Sequence, residues 1–384
     1  MATRTFRGAT DSNWGTAANW LENAVPTSAD DAVFDAASPN CTVNASNRVC
    51  LTFNSTGYTN TITKTFRITV SGAITVGAGT QWAGSEYLTG QTAATHTSNG
   101  NVIDRLWLLG NLTHTLADTF SVSAALRLGS GASGTTVNTS GGSGFSVAGD
   151  LDFGQLTTGS AVGTAAIVMT GTGTLTPNNG TGRAENTLTF NTSGTITGAA
   201  GTLRYNAGTM TYTAGTVNMT ATDLASGAST TFNLGSSVHW KSYTVTGAST
   251  ITNNADFYCD GLASIGAGTS AVTLNGNKLY VAGGLKNAGT TNSISGTTEI
   301  VLSGTGTVSS SSTGFMSNKL TIDAGAGTVT LTDASTVALR IAAGQLKYLS
   351  GTVITDNGTW TTGGGSSGGG NLINSQALVR GIVL

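Results

Sequence analysis

The stretch from Gly194 to Val217 reads GTITGAAGTLRYNAGTMTYTAGTV, and its phrasing decides the fold. A Gly-Thr pair followed by an apolar residue occurs four times, at Gly194-Thr195-Ile196, Gly201-Thr202-Leu203, Gly208-Thr209-Met210 and Gly215-Thr216-Val217, in steps of seven residues. A seven-residue period ordinarily signals a coiled coil, which needs strong apolar side chains at two positions of each heptad. Here that pair is missing, every heptad holds a glycine, and Thr, Val, Ile and Tyr prefer the pleated state. Seven residues instead make a strand of about five and a glycine-centred corner of about two. Strands this short close no core alone. They have to stack on equivalent neighbours, with Ile196, Leu203, Met210 and Val217 pointing inward and Thr, Ser or Asn forming ladders outside. Three such sides give a coil of roughly 21 residues. The expected fold is all-β, a parallel β-helix. The alternative is a pair of tandem β-sandwich domains, whose strands normally come at spacings of about 8 to 12 residues.

A longer repeat surrounds the heptad run. Phe145-Ser146-Val147-Ala148-Gly149-Asp150-Leu151 returns as Leu279-Tyr280-Val281-Ala282-Gly283-Gly284-Leu285, and Ile167 to Thr176 returns as Ile300 to Ser309. Asn186 to Phe190 matches Asn318 to Ile322, and Leu203 to Val217 matches Leu339 to Val353. The offsets stay between 132 and 136 residues, as small insertions at loops between fixed strands would leave them. The chain therefore divides into an N-terminal cap or attachment region over 1–60, β-helical repeats over 61–362 with an internal duplication (145–217 and 279–353), a Gly/Ser linker over 363–370, and an apolar tail over 371–384. The first region has its own texture, with Trp14 and Trp20, two of the three prolines, and Cys41 and Cys50. It is expected to bury both tryptophans while covering the open end of the solenoid.

Composition narrows the function. The 384 residues include 55 Gly, 3 Pro, 16 Lys+Arg and 18 Asp+Glu. Charge that sparse fits neither a solvated disordered chain nor a bundle laced with Glu-Lys pairs. The net charge of −2 supplies no basic field for nucleic-acid phosphates, so no nucleic-acid partner is expected. No run approaches 18 consecutive apolar residues, so no membrane span is expected. Three cysteines, Cys41, Cys50 and Cys259, are too few for a disulfide scaffold and form no metal motif. Cys41 and Cys50 either face each other across a hairpin or serve as small buried apolar side chains.

Each motif that suggests chemistry lacks an essential part. Gly129 to Gly134 fits G-x-G-x-x-G, but Thr-Thr-Val-Asn-Thr-Ser follows where a dinucleotide site needs a helix. Gly141 to Ser146 begins like a calcium-binding nonapeptide, but Ser146 replaces the ligand Asp. Glycan cleavage needs two convergent carboxylates. Asp150 and Asp152 share a strand face, but their repeat counterparts are Gly284 and Lys286. Asp256 and Asp260 flank Phe257, Tyr258 and Cys259, a combination that suggests a polar-aromatic sugar patch. His96, His114 and His239 are dispersed, with no triad or metal spacing. No catalytic, cofactor-binding or metal-binding residue is expected, and the chain is read as a non-enzyme.

The second copy of the repeat, with its phrases LNGNKLYVAGGL, EIVLSGTGTVS, SNKLTIDAGAGTVTL and GQLKYLSGTV, resembles the degenerate repeats of β-helical surface and adhesin-like proteins of bacteria and of tailed phages. Asn13 to Trp20, followed by Val25-Pro26-Thr27 and Asp30 to Phe34, is similar to the segment that often precedes such repeats. The bacterial relatives usually carry a signal peptide, and the opening residues have no apolar stretch of that kind. The resemblance therefore implies a phage structural protein: a capsid decoration, neck or tail appendage assembled in the host cytoplasm and located in the virion. The alternatives are a tailspike-type protein that binds or depolymerises polysaccharide, and a bacterial surface adhesin. The implied partners are copies of itself, most simply a trimer, together with other virion proteins and host surface glycans.

Overall fold

The computed structural model describes residues 1–109, 113–129, 137–140, 144–156, 160–178, 180–266, 271–288, 294–310, 316–331, 340–342, 346–355 and 361–363. The linker and tail expected over 363–370 and 371–384 lie outside the described residues, apart from Gly363. The architecture is a parallel β-helix, as the heptad run requires. Among the described residues the only helical turns are the short 3-10 segments Ala17–Asn19 and Gly235–Ser237. The strand ladders are parallel, and among the described residues the one antiparallel contact is the bridge between Phe6 and Trp20. Tandem sandwiches, built from antiparallel sheets, are thereby excluded.

Two compact units divide the chain. One comprises Met1–Thr197 with Ala214–Thr216, the other Gly198–Thr213 with Val217–Leu384. In the first, Ile68, Leu88, Leu106, Leu126, Leu151 and Leu175 stack as one inward column, in steps of 20, 18, 20, 25 and 24 residues. Phe120, Phe145, Ile167 and Leu188 stack as another. In the second unit Leu203, Leu224, Tyr243, Ala263, Leu285 and Val308 form the equivalent column, in steps of 21, 19, 20, 22 and 23. These steps scatter about the expected 21. Ile196, Leu203, Met210 and Val217 are all buried.

The duplicated phrases have a steric cause. A Cβ on Gly171 would lie 2.2 Å from the carbonyl oxygen of Ala148, and one on Gly173 would lie 2.1 Å from that of Gly149. In the second copy, Gly304 and Gly306 meet the carbonyls of Ala282 and Gly283 at 2.6 and 2.3 Å. Each Gly-Thr-Gly corner thus lies directly on the Ala-Gly corner one coil before it, and only a bare Cα fits there.

The region 1–60 contributes to the ladders from its start. Thr3–Thr5 pairs with Asp31–Val33, Ala32 with Phe53, and Cys41–Val43 with Ile62–Lys64. It also packs an aromatic cluster, in which Trp14 and Trp20 are buried with ring centroids 5.0 Å apart and the Trp20 indole donates to the Trp14 carbonyl at 2.7 Å. Cys41 and Cys50 do not form a disulfide. Cys41 stands beside Ile62 and Cys50 beside Val70, in different ladders, and both are buried free thiols.

One charge sits at an inward position. Lys64 ends the strand Thr61–Lys64, where Ile62 and Lys64 alternate inward, and its side chain is fully buried. Its ammonium lies 4.5 Å from the Trp82 ring centre and pairs with Asp104. The ladder register slips between Ile103 and Arg105, where Asp104 alone faces Ser123 and Ala124 of the neighbouring strand. A bulge of this kind re-aims a side chain out of the regular alternation.

Candidate functional site

In the second unit the strand Phe257–Cys259 turns Phe257 and Cys259 into the core and Tyr258 outward. The polar-aromatic patch expected from the sequence therefore keeps Tyr258 but loses Phe257. It gains partners from neighbouring coils, because the register sets His239, Tyr258 and Tyr280 in one outward column. The His239 and Tyr258 rings stack at 4.9 Å, and Tyr258 and Tyr280 stack at 4.7 Å with their planes 1° apart. Ring faces inside such a column are taken by one another, so the edges and phenol oxygens are what the column presents sideways.

The acids around it have separate partners. Asp260 contacts His239 Nδ1 at 2.7 Å, both side chains being about two-fifths exposed. Asp256 accepts from the Lys278 amide at 3.1 Å. Lys278 and Lys319 lie 3.8 and 3.2 Å from the Glu299 carboxylate, which also accepts from Thr321 at 2.5 Å. Burial raises the Glu299 pKa, but the Thr321 and Lys319 hydrogen bonds and the two ammonium charges outweigh it, leaving the carboxyl below its ordinary value. Burial, then the charge of Asp256 and the neighbouring Tyr280, raise the Tyr258 phenol, so it stays neutral and able to donate at physiological pH. The arrangement offers hydroxyls, a carboxylate–imidazole pair and ammonium groups along an aromatic edge, which suits hydrogen bonding to sugar hydroxyls.

The other sequence candidates separate. Asp152 pairs with Arg127 at 2.7 Å, while Asp150 accepts from the Thr174 amide at 2.8 Å. His96 and His114 come together in the core of the first unit, Nε2 to Nδ1 at 2.9 Å, with rings stacked 5.1 Å apart. The Ile74 amide donates to His96 Nδ1, and the remaining His114 nitrogen faces the Leu109 carbonyl at 2.8 Å. That chain of bonds fixes both rings as neutral tautomers, His96 donating to His114 and His114 to Leu109. No group of three metal-ligating side chains occurs among the described residues. Gly129 closes the strand Phe120–Leu128, and residues 130–136 and 141–143 of the two glycine motifs lie outside the described residues.

Sequence reasoning missed a second outward face, on the first unit. Arg67, Tyr87 and Arg105 each precede an inward residue of the Ile68–Leu88–Leu106 column, and Trp107 and Arg127 stand side by side just after it. The Arg127 guanidinium lies 4.7 and 5.0 Å from the Tyr87 and Trp107 ring centres. Arg67 lies 5.2 Å from Trp107, and Arg105 lies 5.9 Å from Tyr87. The available signal was spacing: 67, 87, 105 and 127 are each about one coil apart, as are 239, 258 and 280.

No protein-family model, curated protein or solved structure matches this chain. No helix among the described residues is long and apolar enough to cross a membrane.

Proposed function

We propose that this chain is a non-enzymatic structural protein of a phage particle, a capsid decoration, neck or tail appendage, whose β-helix also holds host surface glycans. The observation that carries the adhesive part is the outward column His239–Tyr258–Tyr280, flanked by Asp260 and Lys278 with their polar groups toward solvent. A parallel ladder with continuous apolar columns resists local opening, which suits a part that bears load outside a particle. A shallow face of hydroxyls and aromatic edges binds each sugar weakly, and several displayed copies add up to useful avidity. The carboxylates here have their own separate partners, Asp260 with His239 and Asp256 with the Lys278 amide, which supports holding over cleaving. The assembly in this reading is a homo-oligomer, most simply a trimer, attached to other virion proteins through the N-terminal region and paired through the tail.

The test is electrophoresis of the purified chain through gels carrying host surface polysaccharide, with polymer size followed in parallel. Retardation without shortening, reduced by Tyr258→Ala, is the expected result. Shortening that disappears in Asp256→Asn or Asp260→Asn would replace this reading with a depolymerising tailspike. Locating the chain in a map of an assembled particle tests the virion assignment.

A further inference from the structure

The first unit's arginine face points to a more specific ligand than sugar hydroxyls. The chain has ten arginines, and Arg67, Arg105 and Arg127 stand on three of four successive rungs around two aromatic rings. Asp152 holds Arg127 at 2.7 Å. Arg67 and Arg105 have no ion-pair partner among the described residues, and the buried Nε of each has no hydrogen bond. Asp104, next to Arg105, is turned toward Lys64. Glu86 precedes Tyr87, and Asp150 and Asp152 stand on the rung after Arg127, but of the three arginines only Arg127 has a carboxylate within ion-pair distance among the described residues.

The aromatic planes are occupied by guanidiniums, so they do not serve as stacking platforms for sugar rings. They hold long, flexible arginines in fixed places, with their forks available for planar anions. Arg67 and Arg105 start two rungs apart in one column, but their guanidiniums converge on adjoining rings, Arg67 on Trp107 and Arg105 on Tyr87. Arg127 lies one rung beyond Arg105, in the adjacent column.

We propose that Arg67, Arg105 and Arg127, held by Tyr87 and Trp107, bind an acidic polysaccharide through its carboxylates. This rests on the glycan-adhesion reading and names the substrate class for a second face. Arg67 and Arg105, the guanidiniums without an ion-pair partner among the described residues, each take one carboxylate in a bidentate bond.

The experiment is titration calorimetry of the full chain with hyaluronan oligosaccharides, which alternate uronate and neutral sugar, against the same oligosaccharides with their carboxyls reduced to alcohols. The expected result is binding of the acidic form that weakens with salt, a loss of about tenfold in Arg105→Gln and more in Arg67→Gln/Arg105→Gln, and no change in Tyr258→Ala. Equal binding of the reduced and acidic forms by the unaltered protein overturns the proposal, and that arm does not depend on how any variant folds. Equally tight binding of single-stranded DNA also overturns it, by assigning the face to phosphate polymers. If neutral host polysaccharide binds through Tyr258 while hyaluronan oligosaccharides do not, this inference fails and the adhesive reading stands. If neither binds, both fail.

Discussion

At the scale of single residues, two buried polar pairs are the sharpest departures from the apolar pattern. Burial lowers the Lys64 pKa, with the Asp104 charge and hydrogen bond opposing it, so the ammonium depends on its carboxylate. Asp104→Asn should therefore cost about 3 to 5 kcal/mol in urea unfolding, while Lys64→Met/Asp104→Leu, which removes both charges at similar volume, should recover most of that loss. The His96–His114 pair gives a pH signature. Burial, then the neighbouring His114, lowers the His96 pKa to about 3, and burial also lowers His114. Above about pH 6.5 both folded and unfolded chains keep these rings neutral, so the pair adds no pH dependence. Between about pH 6.5 and 3 the unfolded chain takes up protons that the folded chain refuses, and stability falls by about 1.4 kcal/mol per pH unit for His96 alone. Urea midpoints at pH 7.5 and 5.5 should therefore differ more in the unaltered protein than in His96→Gln/His114→Gln.

At the scale of elements, the corners limit substitution more than the strands do. Gly173 and Gly306 occupy equivalent corners of the two repeat copies, each against a backbone carbonyl of the preceding coil at 2.1 and 2.3 Å from a would-be Cβ. Backbone cannot swing away as a side chain can. Gly173→Ala and Gly306→Ala should each cost about 1 to 3 kcal/mol, the range for forcing extra volume into a packed site. Thermal melting of the two variants beside Thr174→Ser, a change on the same corner that adds no atoms against the backbone, checks this. The Gly-Thr-Gly phrases were legible as a repeat, but their pairing with Ala148-Gly149 and Ala282-Gly283 was not, since it depends on which residues lie one coil apart.

At the scale of the whole molecule, the expectation is closed association of several chains. Side-by-side packing covers the flanks of each chain and avoids the open filaments that exposed strand edges invite. Light scattering on the full chain should give a trimer mass, and deletion of Asn371 to Leu384 should lower it. An unchanged oligomer removes the tail as the contact, and a monomer both free and on the particle rejects the proposal.

The sequence by itself determined the class and the direction of the fold. Glycine every seven residues forbids a helix, and one apolar residue per strand forces stacking, so Ile196, Leu203, Met210 and Val217 had to turn inward wherever the coils lay. The tertiary structure alone decided which outward residues meet. Coil length varies from 18 to 25 residues along the first unit's leucine column, and a one-residue change of register sends a side chain to the opposite face. Asp256 and Asp260, close in the sequence, are held by different partners, while His96 and His114, called dispersed on sequence, share a hydrogen bond across one coil. The same physics hid the arginine face. Arg67, Tyr87, Arg105, Trp107 and Arg127 are spread over sixty residues of unremarkable text and come together only when each coil closes at its own length.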